Sequence, residues 1–222
     1  MVRYMRIGVA IPCYKHHIDI LKRCLDSIEA QTRKPDRVVV SCSSCNPEDI
    51  ALYSYSFPLQ VLTHKERKNA AENRNLAARL LETCDILSFF DSDDVMHPQR
   101  LQCIEEQFTR NPCDILLHNF WLDEECVRPF EEIKTFQAEQ NVLRKAPTGC
   151  AIVEGRWGLR IHHSQVSVSA FVFGRIQFKE DPGNERREDA IFCGDVLSMP
   201  NVQSVYVHNP LSKYYLAGSW KV

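Results

Sequence analysis

Apolar positions along the first half of the chain switch between two periods. The run IGVAI at 7–11 is continuous, β-branched and ended by Pro12, which predicts a strand buried on both faces. Ile18, Leu21, Cys24, Leu25 and Ile28 then recur at helical spacing and stop before Pro35, and Val38, Val39 and Val40 predict a second buried strand. A third short strand is expected at 59–62. Asn69 with Glu72 has the form of a capping box, opening a helix whose apolar stripe is Leu76, Ala77, Leu80, Leu81 and Cys84. The run ILSFF at 86–90 reads as a strand that passes straight into Asp91, Ser92, Asp93 and Asp94. Pro98 stands where a helix through Phe108 begins, and 113–122 predicts another strand.

Strands separated by helices imply right-handed βαβ units, hence an α/β fold with a mainly parallel sheet flanked by helices. Ligands of such sheets bind at the carboxyl ends of the strands. The stretch 123–165 is more polar, and loops with a helix over a weaker core are expected there. From Val166 the run VSVSAFVF reads as strand, followed by a charged stretch, a short apolar helix at 191–197 and a strand at 204–207. No repeat, low-complexity tract or linker divides the chain, so 1–222 reads as one domain.

Composition narrows the partners. Across 222 residues, 27 Lys and Arg stand against 29 Asp and Glu, leaving no basic excess to follow a nucleic-acid backbone, and no nucleic-acid partner is expected. The run at 7–11 is too short for a secretory signal and no stretch approaches the length of a membrane span, so no integral membrane segment is expected. Ten cysteines without framework spacing read as buried thiols of a reducing, cytoplasmic compartment. The one C-x-x-C, Cys42 to Cys45, lacks the second pair of a structural zinc site and is followed by Asn46 and Pro47 rather than a helix, so it reads as two incidental thiols.

Asp91, Asp93 and Asp94 put three carboxylates directly after a buried strand, where uncompensated charge is costly. Hard oxygen ligands without neighbouring Cys or His suit Mg²⁺ or Mn²⁺. The plainer alternative is a turn whose aspartates cap the next helix. Lys65, Arg67, Lys68 and Arg74 surround the start of the helix after the third strand, which favours either phosphate or a solvated charged loop.

Pro12-Cys-Tyr14, Gln31-Thr32, Arg74-Asn75 and the acidic run at 91–94 occur in an order that resembles the nucleotide-binding half of inverting family 2 glycosyltransferases of the GT-A fold, over about residues 5 to 122. The resemblance implies a nucleotide-sugar-binding half at about 1–122 and a smaller acceptor-binding and catalytic half at about 123–222. It implies that Pro12, Tyr14, Ser43, Lys68, Arg74, Asp91, Ser92 and Asp93 meet a nucleotide-diphosphate sugar. Asp91, Asp93 and Asp94 would hold Mn²⁺ or Mg²⁺, with His208 as an additional ligand. Glu188-Asp189 occupies the place of the family's late acidic pair, which implies Asp189 as the general base with Glu188 beside it; without the resemblance the pair is a favourable first helical turn. His162, His163 and Trp157 fall in the acceptor-facing segment, where a glycan or other hydroxyl acceptor is expected.

One departure stands out. Where the family usually has an acidic residue that reads the base, this chain has Ser41, Cys42, Ser43 and Ser44. A nucleotide other than uridine is therefore open, and so is a non-catalytic module that binds a nucleotide or partner. A nucleotidyltransferase is the weaker alternative, because residues 12–17 are not a glycine-rich phosphate loop.

Overall fold

The computed structural model describes residues 4–50, 54–123, 128–153, 165–181, 183 and 187–215. In chain order the elements are β1 (Ile7–Tyr14), α1 (Ile18–Glu29), β2 (Arg37–Ser43), β3 (Leu59–His64), α2 (Ala70–Arg79), β4 (Ile86–Phe89), β5 (Val95–Met96), α3 (Arg100–Arg110), β6 (Ile115–Asp123), β7 (Ala138–Gln140), β8 (Leu143–Lys145), β9 (Ala151–Val153), β10 (Val166–Ser169), α4 (Ala170–Phe173), α5 (Glu188–Val196) and β11 (Ser204–Tyr215). The expected strands and helices of the first half are all present. The capping box is formed: Asn69 Oδ1 accepts from Glu72 N at 2.9 Å and Glu72 Oε2 from Asn69 N at 2.7 Å.

The main sheet runs β3-β2-β1-β4-β10-β6-β11-β5, with β7 also on β11. β1 to β4 are parallel, as are β6 and β11, and the antiparallel β10 joins the two blocks. Because β4 and β6 both oppose β10, they point the same way, and the carboxyl ends of both blocks lie along one edge. Side chains alternate across β1: Ile7, Val9 and Ile11 join a core with α1 and α3, whereas Ala10 joins a second core with α2, α4 and α5. No helix among the described residues is long and apolar enough to cross a membrane.

The second half departs from the sequence expectation in three places. Only 166–169 of the run VSVSAFVF is strand; Ser169 Oγ then accepts from Val172 N at 3.3 Å and caps the short helix α4. The described part of 123–165 holds β7, β8 and β9 rather than a helix, with Ala151 and Val153 buried and Ile152 between them exposed, the two-residue period of a half-buried strand. The last strand extends from 204 to Tyr215, breaking register between Val207 and Lys213.

Gln31 ties the layers together. Buried at the end of α1, its Nε2 donates to Ser27 O at 3.1 Å and His97 O at 2.7 Å, and its Oε1 accepts from Leu101 N at 3.1 Å. Gln31→Ala strands these backbone groups and is expected to lower unfolding stability by about 1–3 kcal/mol, read as a shift in denaturation midpoint with an unchanged slope.

Candidate active site

The aspartates sit at the carboxyl end of β4, in a turn closed by Asp94 N donating to Asp91 O at 3.3 Å. One carboxylate oxygen from each of Asp91, Asp93 and Asp94 lies within 4.8 Å of the others. Asp91 Oδ1 accepts from Arg74 Nη2 at 2.8 Å. Asp94 is fully buried, and its Oδ1 accepts from Tyr215 N at 3.0 Å, fastening the end of β11 to the turn. Arg23, from α1, donates through Nη2 to Asp93 O at 2.6 Å and lies 4.3 Å over the Tyr215 ring. Burial, and then the charge of Asp91, push the Asp93 carboxyl up to about 6. A buried carboxylate held next to a like charge is one that a hard divalent cation relieves, so the donor set fits Mg²⁺ or Mn²⁺. Ser92 Oγ is 3.3 Å from His17 Nδ1.

Arg74 connects this turn to the second half of the chain. Its guanidinium is 2% exposed, and while Nη2 serves Asp91, Nη1 donates to Glu188 Oε1 at 3.0 Å. Burial opposes the charge, but Asp91 and Glu188 more than offset it and hold the Arg74 pKa above its ordinary value. Asn75 continues the clasp. It accepts from Phe178 N at 3.0 Å and donates to Phe178 O at 2.9 Å, and Phe178 stacks on Phe192 of α5 with centroids 4.1 Å apart. The Arg-Asn pair thus brings α5, with Glu188 and Asp189 at its buried first turn, to the acidic turn. Asp189 Oδ1 accepts from Ala190 N at 2.6 Å. Both terminal nitrogens of Arg74, expected near a phosphate or in a solvated charged loop, serve carboxylates in this structure.

The end of β2 is a neutral polar network. Ser41 Oγ donates to Asn73 Oδ1 at 2.9 Å and lies 3.2 Å from His64 Nε2, which must therefore be the donor in that pair. Ser43, fully buried, donates to Lys68 O at 3.2 Å and accepts from Asn73 Nδ2 at 3.1 Å. Burial, then the charge of Lys68, hold His64 below its usual pKa and so neutral. Pro12 pairs in register with Ser41, and Tyr14 ends β1 half-buried, edge-on to His16 at 5.0 Å. Asn73 and His64 were missed from sequence. The one available signal for Asn73 was its place on the face of α2 that begins at Asn69.

His208 stands apart from the three carboxylates: on β11, its Nε2 is 2.7 Å from Glu139 Oε1 of β7. His162, His163 and Trp157 lie outside the described residues. Burial raises the Cys45 thiol to about 12, and a hydrogen bond with Cys13 raises Cys42 further, which leaves both thiols protonated. All nine described cysteines are free.

The chain belongs to glycosyl transferase family 2, whose model matches residues 8–166. It is 29% identical over 107 residues to an uncharacterized glycosyltransferase of Haemophilus influenzae, a match covering 48% of this chain and 35% of that protein. Its fold is similar to the crystal structure of S. aureus TarS 1-349 in complex with UDP (TM-score 0.69, 16% identity, 96% of this chain and 61% of that one). The complex of TarS 1-349 with UDP-GlcNAc is similar too (TM-score 0.70, 17% identity, 95% and 58%). This chain therefore spans about a third of the Haemophilus protein and about three-fifths of the TarS fragment. The GT-A-like architecture expected from the motifs is the one observed.

Two outcomes follow from this geometry. Arg74→Met leaves two carboxylates of separate elements without their cation and is expected to cost about 3–5 kcal/mol of stability, measured by urea denaturation. The Asp93 carboxyl has a raised pKa, so the folded state binds its proton more tightly than the unfolded chain, and without metal its ionisation costs stability as the pH rises through about 6. A cation binds only the ionised form, so Mn²⁺ affinity by calorimetry is expected to fall about tenfold per pH unit below that value, with the dependence absent in Asp93→Asn.

Proposed function

We propose that the chain transfers a sugar from a nucleoside-diphosphate sugar to an acceptor hydroxyl with inversion at the anomeric carbon, with the help of Mn²⁺ or Mg²⁺. One observation supports this above the others: the acidic turn and the Glu188-Asp189 pair, distant in sequence, share one buried guanidinium, that of Arg74. Asp91, Asp93 and Asp94 are the residues that would hold the cation, which supplies positive charge for the leaving diphosphate. Asp91 and Asp94 already carry protein partners, leaving Asp93 as the carboxylate with most to gain from a cation.

Asp189 takes the proton of the acceptor hydroxyl as that oxygen attacks the face opposite the departing group. Glu188, fixed by Arg74, keeps the first turn of α5 in place. Pro12, Tyr14, Ser43 and Lys68, at the ends of β1 and β2 and before α2, flank the nucleotide. Uridine nucleotides are the first donors to try, because the similar TarS structures hold UDP and UDP-GlcNAc. The Ser41-Asn73-His64 network offers a base edge neutral hydrogen-bonding groups rather than a carboxylate. The acceptor, a glycan or other hydroxyl compound, is assigned to the chain segment that includes His162, His163 and Trp157.

The test is a thermal-shift series with UDP, UDP-GlcNAc and other nucleoside diphosphates, each with Mn²⁺, Mg²⁺ or chelator. A metal-dependent rise in midpoint is expected for one nucleotide and is lost in Asp93→Ala. With that donor, Asp189→Asn is expected to keep donor binding while transfer falls about 100- to 10,000-fold. Wild-type transfer rates in Asp189→Asn would refute the assignment of the base, and a folded protein that binds no donor would favour the non-catalytic module.

A further inference from the structure

The helix that carries Glu188 and Asp189 is gripped on a second flank by a contact in which Arg74 takes no part. At Gly194, within α5, the backbone of the turn between β8 and β9 lies directly against the helix. A Cβ at Gly194 would come 1.9 Å from the Gly149 carbonyl oxygen and 2.9 Å from its carbonyl carbon. Gly149 itself takes φ +88°, a conformation that side chains disfavour, in a turn closed by Gly149 N to Ala146 O at 2.9 Å and Ala146 N to Cys150 O at 2.7 Å.

Other bonds hold the same pair of elements. Arg187, at the N-cap of α5, donates through Nη2 to Thr148 O at 3.2 Å and to Cys150 Sγ at 3.0 Å. Farther along, Asp195 accepts from Lys145 Nζ at 3.2 Å. Leu143, Ala151 and Val153 of the hairpin bury in one core with Phe192 and Val196 of α5.

Glycine inside a helix costs about 1 kcal/mol relative to alanine, because it loses more backbone freedom on folding. A second glycine is required where the turn meets the helix. Gly194 permits a backbone-to-backbone approach that a side chain there would block, and Gly149 permits the turn conformation that brings its carbonyl to the helix. Such a contact fixes the height and rotation of a helix more tightly than exchangeable side-chain packing does.

We infer that the Gly149–Gly194 contact is a positioning device for Asp189, and that Gly194, supported by Arg187, is a positioning residue for the transfer step. The β8–β9 hairpin and α5 move as one body, and the hairpin sets where the Asp189 carboxylate meets the acceptor hydroxyl. The inference rests on Asp189 acting as the base. Donor binding is expected to change less than transfer, since the acidic turn has holds outside α5, from Arg23 and from the amide of Tyr215.

The experiment compares Gly194→Ala with Gly149→Ala, a gentler change whose Cβ would meet nothing within 4 Å and so strains only the turn. Gly174→Ala, whose nearest contacts would be ordinary at 3.4 Å, is the control. Mn²⁺-dependent UDP binding, steady-state kinetics and amide hydrogen exchange are read for each. The expected result is UDP affinity and donor KM near wild type, kcat lower by on the order of 10- to 100-fold, and faster exchange confined to α5 and the hairpin. An unchanged kcat in folded variants overturns the inference. So does a uniform rise in exchange with UDP binding lost in parallel, which marks a merely structural role. Should Gly194→Ala fail to fold, Gly149→Ala decides by the same criteria. Failure of the functional reading is distinguishable, because it shows as Asp189→Asn retaining wild-type transfer.

Discussion

A guanidinium with almost no exposed surface must be neutralised by groups whose geometry is fixed, and in this protein those groups come from separate halves of the chain. Arg74 binds Asp91 on one side and Glu188 on the other, so α2, the turn after β4 and the start of α5 meet at one side chain. Burying three charges offers little net stability, because desolvation offsets most of the attraction. What the geometry shows is a link between distant segments: moving α5 away would cost Arg74 its bond to Glu188. The acidic turn and the first turn of α5 are thereby joined through one side chain.

The sheet serves the same end by a different route. An antiparallel strand, β10, separates two parallel blocks without reversing their common direction, so the carboxyl ends of β4 and β6 still open on one side. β11 then runs beside β6 past that edge and reaches Asp94 through the amide of Tyr215. The acidic turn is consequently bounded by α1, α2 and β11, three elements that contribute the arginines or the backbone donor it needs.

What the sequence revealed was what depends on near neighbours. β1, α1, β2, α2 and β4 follow from runs and periods that each lie within a short window, and Asn69 with Glu72 caps α2 as its spacing says. The run after Val166 was misread because apolar residues suit strand and buried helix equally, and one hydroxyl, that of Ser169, decides where the first becomes the second. β7, β8 and β9 were hidden because each is only three residues long and their partners are distant or across a turn. In the site, the three aspartates are legible as a cluster, and Glu188 and Asp189 only as a resemblance. The role of Arg74 was not legible, since Glu188 lies 114 positions away and nothing local in Arg74-Asn75 distinguishes a carboxylate partner from a phosphate. His208 stands with its Nε2 2.7 Å from Glu139 Oε1, a pairing across β11 and β7 that no local pattern announces.

The two margins of the sheet differ in what they offer another chain. On one margin β11 is covered by β5 and β7, strands of two and three residues, too short to template further pairing. On the other margin β3 runs for six half-buried residues from Leu59 to His64. Association by strand addition, whether in misfolding at high concentration or in a deliberately engineered fusion, is thus directed to the β3 margin, next to the Ser41 and His64 network, and away from the margin that β5 and β7 cover.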